Sequence, residues 1–125
     1  AASDVYKRQI EKETISDLDK GFVSRFKSLV EERMKDAELN VEDLGRNMGM
    51  SRVQLYRKLK SLTNYSPNEL LRQMRLKKAA SLLASSDMTV AEIAYEVGFS
   101  SPSYFTKCYK EQFGESPTEF LKRRG

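Results

Sequence analysis

The chain has 125 residues, of which 39% are hydrophobic and 32% charged, and its formal net charge is +4. This length fits one compact domain or two small ones with a modest core. Because the sequence has no histidine and one cysteine, it lacks the usual general base and zinc ligand and cannot form an intramolecular disulfide. Apolar residues recur mostly at spacings of three and four, which predicts an all-α fold.

Residues 1–18 are polar with scattered apolar side chains, and we expect a linker or a poorly anchored helix there. The sequence begins at Ala1 without a Met, so we expect an excised piece that lacks larger upstream domains. From Asp19, which is suited to cap a helix, a single apolar face predicts a helix to about Lys35. The residues of this face are Phe22, Phe26, Leu29, Val30 and Met34.

Two short helices joined by a turn come next. The first begins behind the cap Asn40 and ends at Gly49, a residue that suits left-handed backbone. The second begins behind the cap Ser51. Its buried stripe is expected to consist of Leu55, Leu59 and Leu62. Two short helices with a Gly-containing turn predict a helix-turn-helix unit, so residues 19–65 form a first subdomain.

A long linker helix is predicted over residues 66–86. Ser66 caps it, Pro67 is its first residue, and Glu69 completes a capping box. About eighteen helical residues span roughly 27 Å. The apolar side is expected to consist of Leu76, Ala79, Ala80 and Leu83. Much of the remaining surface is basic through Arg72, Arg75, Lys77 and Lys78.

The second half of the chain repeats the first at a fixed distance. Residues 41–50 match residues 90–99 at an offset of 49, and from Ser51 onward the offset is 50. One residue has therefore been inserted near Ser100. The repeat predicts that residues 87–125 form a second helix-turn-helix subdomain, although two helical hairpins repeated only for packing are the alternative.

The repeat sets the register of this second subdomain. A short helix begins behind the cap Thr89 and ends at Gly98. Ser101 caps the next helix, and Pro102 is its first residue, where the missing N–H group costs nothing. A last short helix, from Ser116, repeats the Ser-Pro-x-Glu capping pattern of the linker helix.

The charge distribution indicates the partner. Residues 1–50 carry nine Lys and Arg against eleven Asp and Glu, whereas residues 51–125 carry thirteen against seven. A basic body favours a polyanion over a neutral partner. Since the apolar faces are needed for the core, nucleic acid fits better than a membrane surface. Without a signal peptide or a membrane-length apolar run, we expect a cytoplasmic location.

The helix after Ser51 has a basic outer face if its leucines are buried. Arg57 suits a bidentate contact with guanine, while Val53 and Tyr56 suit a thymine methyl group or a base edge. Arg52 and Lys60 suit phosphates. In the second unit, the corresponding positions are Pro102, Ser103, Thr106, Lys107 and Lys110, with Phe105 and Tyr109 packed inward. With fewer donors, this second helix should discriminate bases less sharply.

The span from about Asp19 to Arg124 resembles the DNA-binding domain of the AraC/XylS family of bacterial transcription regulators. The stretches that carry the resemblance are "VEDLGRNMGMSRVQLYRKLKSLTNYSPNELLRQMRLKKAASLL" and "TVAEIAYEVGFSSPSYFTKCYKEQFGESPTEF". Within the family, the chain is most similar to the C-terminal output domain of hybrid two-component regulators. The resemblance implies two helix-turn-helix subdomains joined by a long helix. Their recognition helices, at about 51–62 and 101–113, would enter adjacent major-groove segments of double-stranded DNA.

The family's contact positions can be carried over residue by residue. Base contacts are then expected from Val53, Tyr56, Arg57, Pro102, Ser103, Thr106 and Lys107. Phosphate contacts are expected from Ser51, Arg52, Lys60, Ser101 and Lys110. The family often has larger polar side chains where Pro102 and Ser103 stand, a departure that weakens base readout there. The resemblance implies no cofactor or metal. It adds RNA polymerase and upstream receiver or sensor domains as partners.

Two other functional classes stay open. An enzyme would need Cys108 as its nucleophile, but no histidine can activate it, so we expect a structural thiol and no catalysis. DNA-repair methyltransferases contain a similar helical domain, so the chain could be the DNA-binding part of such an enzyme. A helical protein-interaction adaptor would need an exposed apolar groove, whereas the exposed faces predicted here are basic.

Overall fold

Seven α-helices build the part of the chain, residues 16–125, that our computed structural model describes. They are α1 (Asp17–Arg33), α2 (Val41–Asn47), α3 (Arg52–Thr63), α4 (Pro67–Ser85), α5 (Val90–Glu96), α6 (Pro102–Phe113) and α7 (Pro117–Arg124). Since no strand occurs within this range, the all-α prediction is confirmed. Most of the predicted N-terminal linker, residues 1–15, lies outside the described residues.

Every helix begins behind a side-chain cap. In each case a Ser, Thr or Asn oxygen accepts a hydrogen bond from the backbone N–H three residues later, at 2.9–3.2 Å. The caps are Ser16, Asn40, Ser51, Ser66, Thr89, Ser101 and Ser116. Each satisfies one amide group that a helix start leaves unpaired. The predicted cap at Ser101 and helix start at Pro102 are therefore confirmed.

The first helix starts earlier than the sequence predicted. Ser16, and not Asp19, is its cap, and the Asp19 N–H donates to the Ser16 hydroxyl at 3.2 Å. The Asp19 carboxylate instead lies 4.0 Å from Lys58 Nζ on α3. The helix ends at Arg33, close to the predicted end at about Lys35.

The predicted capping boxes are only half formed. Ser66 and Ser116 accept from the amides of Glu69 and Glu119, but in the described range neither glutamate side chain returns a bond to the cap amide. The complete box occurs at Ser51, whose N–H donates to the Gln54 side-chain oxygen at 2.9 Å. The hydrogen bond from the glutamate N–H to the serine hydroxyl is therefore enough to start α4 and α7, without a return bond from the glutamate side chain.

The internal repeat is visible in the geometry. Helices α2 and α5 each have 7 residues, and α3 and α6 each have 12. The connection from α5 to α6 is one residue longer than that from α2 to α3, as the change of offset predicted. A Cβ on Gly45, in α2, would lie 2.8 Å from the carbonyl oxygen of Met50 in the shorter turn. The equivalent residue of the second unit is Ala94, which is buried in α5.

Helix α4 joins two helix-turn-helix units. It packs against α1 and α3 of the first unit and against α5, α6 and α7 of the second. Its buried apolar residues are Leu70, Leu71, Leu76, Ala79 and Leu83. They belong to a single buried cluster that also includes Phe26 and Leu55 from the first unit and Ile93 and Phe105 from the second. The two units therefore share one core.

A close backbone contact between Gly98 and Met34 joins the second unit to the first. Gly98, at φ +96°, lies so near the Met34 carbonyl oxygen that an added Cβ would overlap it, and that Cβ would also lie 2.8 Å from Arg75 Nε. Arg75 Nη2 donates to the Asp36 carbonyl at 2.9 Å. Lys35 and Glu96 form an ion pair of 3.0 Å across the same junction. Arg75, predicted as one of the basic residues beside the apolar side of α4, is therefore half-buried and hydrogen-bonded to the loop after α1.

Replacing Gly98 by alanine should therefore destabilise the fold far more than replacing its repeat partner Gly49. Both glycines have positive φ, but a Cβ on Gly49 would meet nothing within 4 Å. We expect Gly49→Ala to cost about 1–2 kcal/mol of unfolding free energy from backbone strain alone. Gly98→Ala should cost at least about 3 kcal/mol, because the clash adds to the strain. Urea unfolding followed by circular dichroism measures both losses of unfolding free energy. Equal losses would contradict the close contact of Gly98 with the first unit.

Candidate nucleic-acid interface

The outer side of α3 presents the residues that the sequence assigned to it. Leu55 and Leu59 are fully buried, so the opposite side of the helix points to solvent. Exposed there are Arg52, Val53, Tyr56, Arg57 and Lys60, which we call the α3 face. Val53 is 57% exposed and Tyr56 48%. Neither residue contributes to the core, so both are available for a contact outside the protein.

The α3 face is positively charged without compensation. Its three cations, Arg52, Arg57 and Lys60, form no ion pair with any other residue in the range 16–125. The neighbouring Lys58 behaves differently: its Nζ lies 4.0 Å from Asp19 Oδ1 and 4.5 Å from the centre of the Phe22 ring. Lys58 therefore ties α3 to α1, whereas the other cations are left for an anion.

Ser51 and Ser101, the predicted phosphate ligands at the two helix starts, are engaged as caps. Their hydroxyl oxygens accept from the amides of Gln54 and Tyr104, each at 3.2 Å. A hydroxyl can accept and donate at the same time, so the proton of each remains available to a phosphate oxygen. Ser51 is exposed and Ser101 half-buried.

The corresponding side of α6 carries fewer positive charges than the α3 face. Ser103, Lys107 and Lys110 are exposed, while Pro102 and Thr106 are half-buried; together they form the α6 face. As predicted, Phe105 and Tyr109 are buried, at 0% and 2% exposure. Lys110 Nζ lies 3.8 Å from Glu119 Oε1. An exposed ion pair of this length is worth little, so a phosphate can replace the carboxylate.

Tyr104 is a residue of this surface that sequence reasoning missed. It is 51% exposed, next to Ser103 and one turn before Lys107, and its ring lies 6.0 Å from the Phe99 ring. The repeat aligns Tyr104 with Gln54, which has no predicted contact role, so the sequence carried no signal for Tyr104. Because Tyr104 is exposed beside Ser103, its ring and hydroxyl adjoin the α6 face.

Shifted pKa values occur at side chains that hold the fold together. Burial lowers the pKa of Arg75, and the nearby Asp36 carboxylate partly restores it. A hydrogen bond from Arg123 lowers the pKa of Glu115, with Arg123 Nη2 at 2.7 Å from Glu115 Oε1. This pair joins the turn between α6 and α7 to the last turn of α7.

The described residues contain no cluster of three or more His, Cys, Asp or Glu side chains that could hold a metal ion. Between Ser16 and Gly125, no helix combines the length and the apolar character that crossing a membrane requires. These residues present two basic, partly apolar helix faces at the surface, the α3 face and the α6 face.

Comparisons with known proteins agree with this geometry. A family profile described as a helix-turn-helix domain matches residues 44–123. Histidine kinase P4 of Formosa agariphila is 37% identical over 110 residues, which cover 88% of this chain but only 8% of that protein.

Two solved structures are also similar. The C-terminal domain of AraT, a response regulator from Geobacillus stearothermophilus, superposes with a TM-score of 0.77 at 27% identity, covering 88% of each chain. The DNA-binding domain of the global transcriptional factor AdpA, solved with a target DNA, has a TM-score of 0.75 at 30% identity and covers 80% of this chain and 89% of that one.

Cys108, the candidate nucleophile of the enzyme alternative, is 4% exposed on the buried side of α6. Because labelling requires the core to open, we expect a thiol reagent to react at least about 100-fold more slowly in native buffer than in urea. The denatured chain is its own control, since the sequence has one cysteine. Fast labelling of the native protein at neutral pH would instead indicate an accessible, activated thiol.

Proposed function

This chain belongs to the AraC/XylS family of helix-turn-helix regulators, and we propose that it binds specific double-stranded DNA sequences with two recognition helices, α3 and α6. The observation that carries the proposal is the α3 face. It combines three cations that lack an ion pair in the described residues with an exposed valine and tyrosine, opposite two fully buried leucines. A helix of this kind is suited to the major groove, whose walls are phosphates and whose floor presents base edges.

Each residue of the α3 face has a distinct task in this proposal. Arg57 forms a bidentate contact with a guanine edge, because its planar guanidinium matches the O6 and N7 acceptors. Val53 and Tyr56 contact a thymine methyl group or a base edge. Arg52, Lys60 and the hydroxyl of Ser51 bind phosphates and set the position of the helix on the duplex.

The α6 face reads the second half of the site with less discrimination. Pro102, Ser103, Thr106 and Lys107 face the bases, and Ser101 and Lys110 bind phosphates. Pro102 offers no donor, and the hydroxyl groups of Ser103 and Thr106 are short and uncharged. Lys107 is therefore the strongest polar contact of this helix.

The linker helix gives the two recognition helices a suitable spacing. Helix α4 has 19 residues, or about 28 Å at the usual rise, and it packs against both α3 and α6. One turn of duplex measures roughly 34 Å, so the two helices can enter successive major-groove segments on one side of the DNA. We accordingly divide the chain into subdomains 19–65 and 87–125 on either side of the linker helix 66–86, with residues 1–18 as an N-terminal extension that contributes the start of α1.

We also propose that the chain is the output domain of a longer hybrid two-component regulator. It spans 8% of the histidine kinase it resembles, and the AraT domain it resembles is the C-terminal part of a response regulator. Sensor and receiver domains then precede it, RNA polymerase is a further partner, and binding takes place in the cytoplasm, where bacterial DNA lies. The chain itself performs no catalytic step in this proposal, which the burial of Cys108 supports.

Binding to a mixed-sequence duplex should depend steeply on salt. If four to eight phosphates are contacted, the slope of log affinity against log salt concentration is about −4 to −7, because each contact releases condensed counterions. Fluorescence anisotropy of a labelled duplex measures this slope. A helical protein-interaction adaptor would show no binding or a salt-independent interaction, and either result would refute the DNA proposal.

The two recognition helices should contribute unequally on a preferred site. Selection from a random duplex pool should recover two half-elements about one helical turn apart. On that duplex, Arg57→Ala should weaken binding by about 1–3 kcal/mol and relax one base position, since it removes a bidentate contact. Ser103→Ala should do less. Lys77→Ala serves as the control, because Lys77 is exposed and lines a cleft between α1 and α4. Equal losses for Arg57 and Ser103 would show that the ranking of the helices is wrong.

A further inference from the structure

A cleft of about 420 Å³ lies between the two helix-turn-helix units, beside the first half of α4. Its polar lining consists of Asn68, Arg72, Arg75, Ser100 and Tyr104. Two of these residues are arginines, and no carboxylate lines the cleft. The cleft is therefore positive within an otherwise mixed surface.

This cleft connects the starts of the two recognition helices. Asn68 also lines a second cleft, together with Glu42 and with Arg52, the first residue of α3. On the other side, Ser100 and Tyr104 belong to the start of α6. A continuous strip thus runs from Arg52 through Asn68 and Arg72 to Tyr104.

The two arginines of the cleft are in different situations. Arg75 is half-buried and committed to the first unit, because its Nη2 donates to the Asp36 carbonyl. Arg72 is exposed and forms no ion pair with the residues that the structure describes. It follows Asn68 by one helical turn, so both side chains lie on the same side of α4.

We propose that Arg72, together with Asn68 and the Tyr104 hydroxyl, binds a DNA backbone phosphate between the two major-groove segments. The inference rests on the DNA-binding function proposed above. Two major-groove segments on one side of a duplex are separated by a minor groove, which the phosphate backbone flanks. A guanidinium binds phosphate oxygens in a bidentate, charge-assisted manner, and amide and hydroxyl donors complete the contact. Such a contact positions the protein but carries no sequence information.

The first test compares Arg72→Ala with Lys78→Ala. Both residues are exposed on α4, but Lys78 lines a different cleft, between α4 and α1. Arg72→Ala should weaken binding of a mixed-sequence duplex about three- to tenfold at low salt. It should also reduce the salt slope by about one and leave base preference unchanged. Equal effects of the two substitutions would overturn the proposal, since they would reflect only the loss of one positive charge.

The second test locates the phosphate. In a duplex recovered by selection, single phosphates between the half-elements are replaced by uncharged methylphosphonates. One replacement should weaken wild-type binding but have little further effect on Arg72→Ala, because the two changes remove the same contact. Additive losses at every position would overturn the proposal.

Because Arg72 is exposed, the variant should keep the wild-type circular dichroism spectrum, and Arg72→Lys should retain most of the salt slope.

The outcomes also separate this proposal from the function on which it rests. If the wild-type chain binds no duplex, the DNA-binding function itself is wrong. If the wild type binds and Arg72→Ala behaves as Lys78→Ala does, only the phosphate contact is wrong. Inorganic phosphate that raises the melting temperature of the wild type but not of Arg72→Ala, with equal salt slopes for both, would show that the cleft takes a free anion instead of DNA.

Discussion

The packing of α4 against both helix-turn-helix units is the constraint on which the rest of the molecule depends. A unit of three short helices is near the lower size limit at which a core supports folding. By placing Leu76, Ala79 and Leu83 in a single buried cluster with side chains from both sides, α4 lets the two units share their apolar burial. The same helix determines where α3 and α6 stand, so stability and the spacing of the two faces have a common origin.

The contacts around Gly98 set the orientation of the two units, in addition to the spacing that α4 gives them. Packing of apolar side chains is tolerant of small shifts, whereas a backbone carbonyl pressed against a glycine is not. The Met34 carbonyl and the Arg75 guanidinium both lie against Gly98 in the turn between α5 and α6, and the Lys35–Glu96 ion pair lies beside them. A change in the angle between α3 and α6 would break these contacts together. The two recognition surfaces are therefore presented as one rigid arrangement.

Features that depend on neighbouring residues could be predicted from the sequence, and those that join distant segments could not. Six of the seven helix caps, the start of α6 at Pro102 and the exposed side of α3 follow from residues within a few positions of each other. Arg75 donates to a backbone carbonyl 39 positions away. Every residue has a backbone carbonyl, so the identity of the accepting residue does not reveal such a contact. Lys58 was likewise indistinguishable from its basic neighbours until α1 placed Asp19 and Phe22 beside it. The contacts of the exposed residues with DNA stay predictions, because they depend on a partner.

The difference between the two faces gives any complex with DNA a direction. A symmetric dimer reads a palindrome and is indifferent to which way the duplex runs. Here the strongly basic α3 and the weakly basic α6 follow each other in fixed order on one chain, so inverting the target would exchange a good half-element for a poor one. The first unit, and α1 with it, would then always lie toward the same flank of the site, and a promoter could use the orientation of the site as well as its sequence.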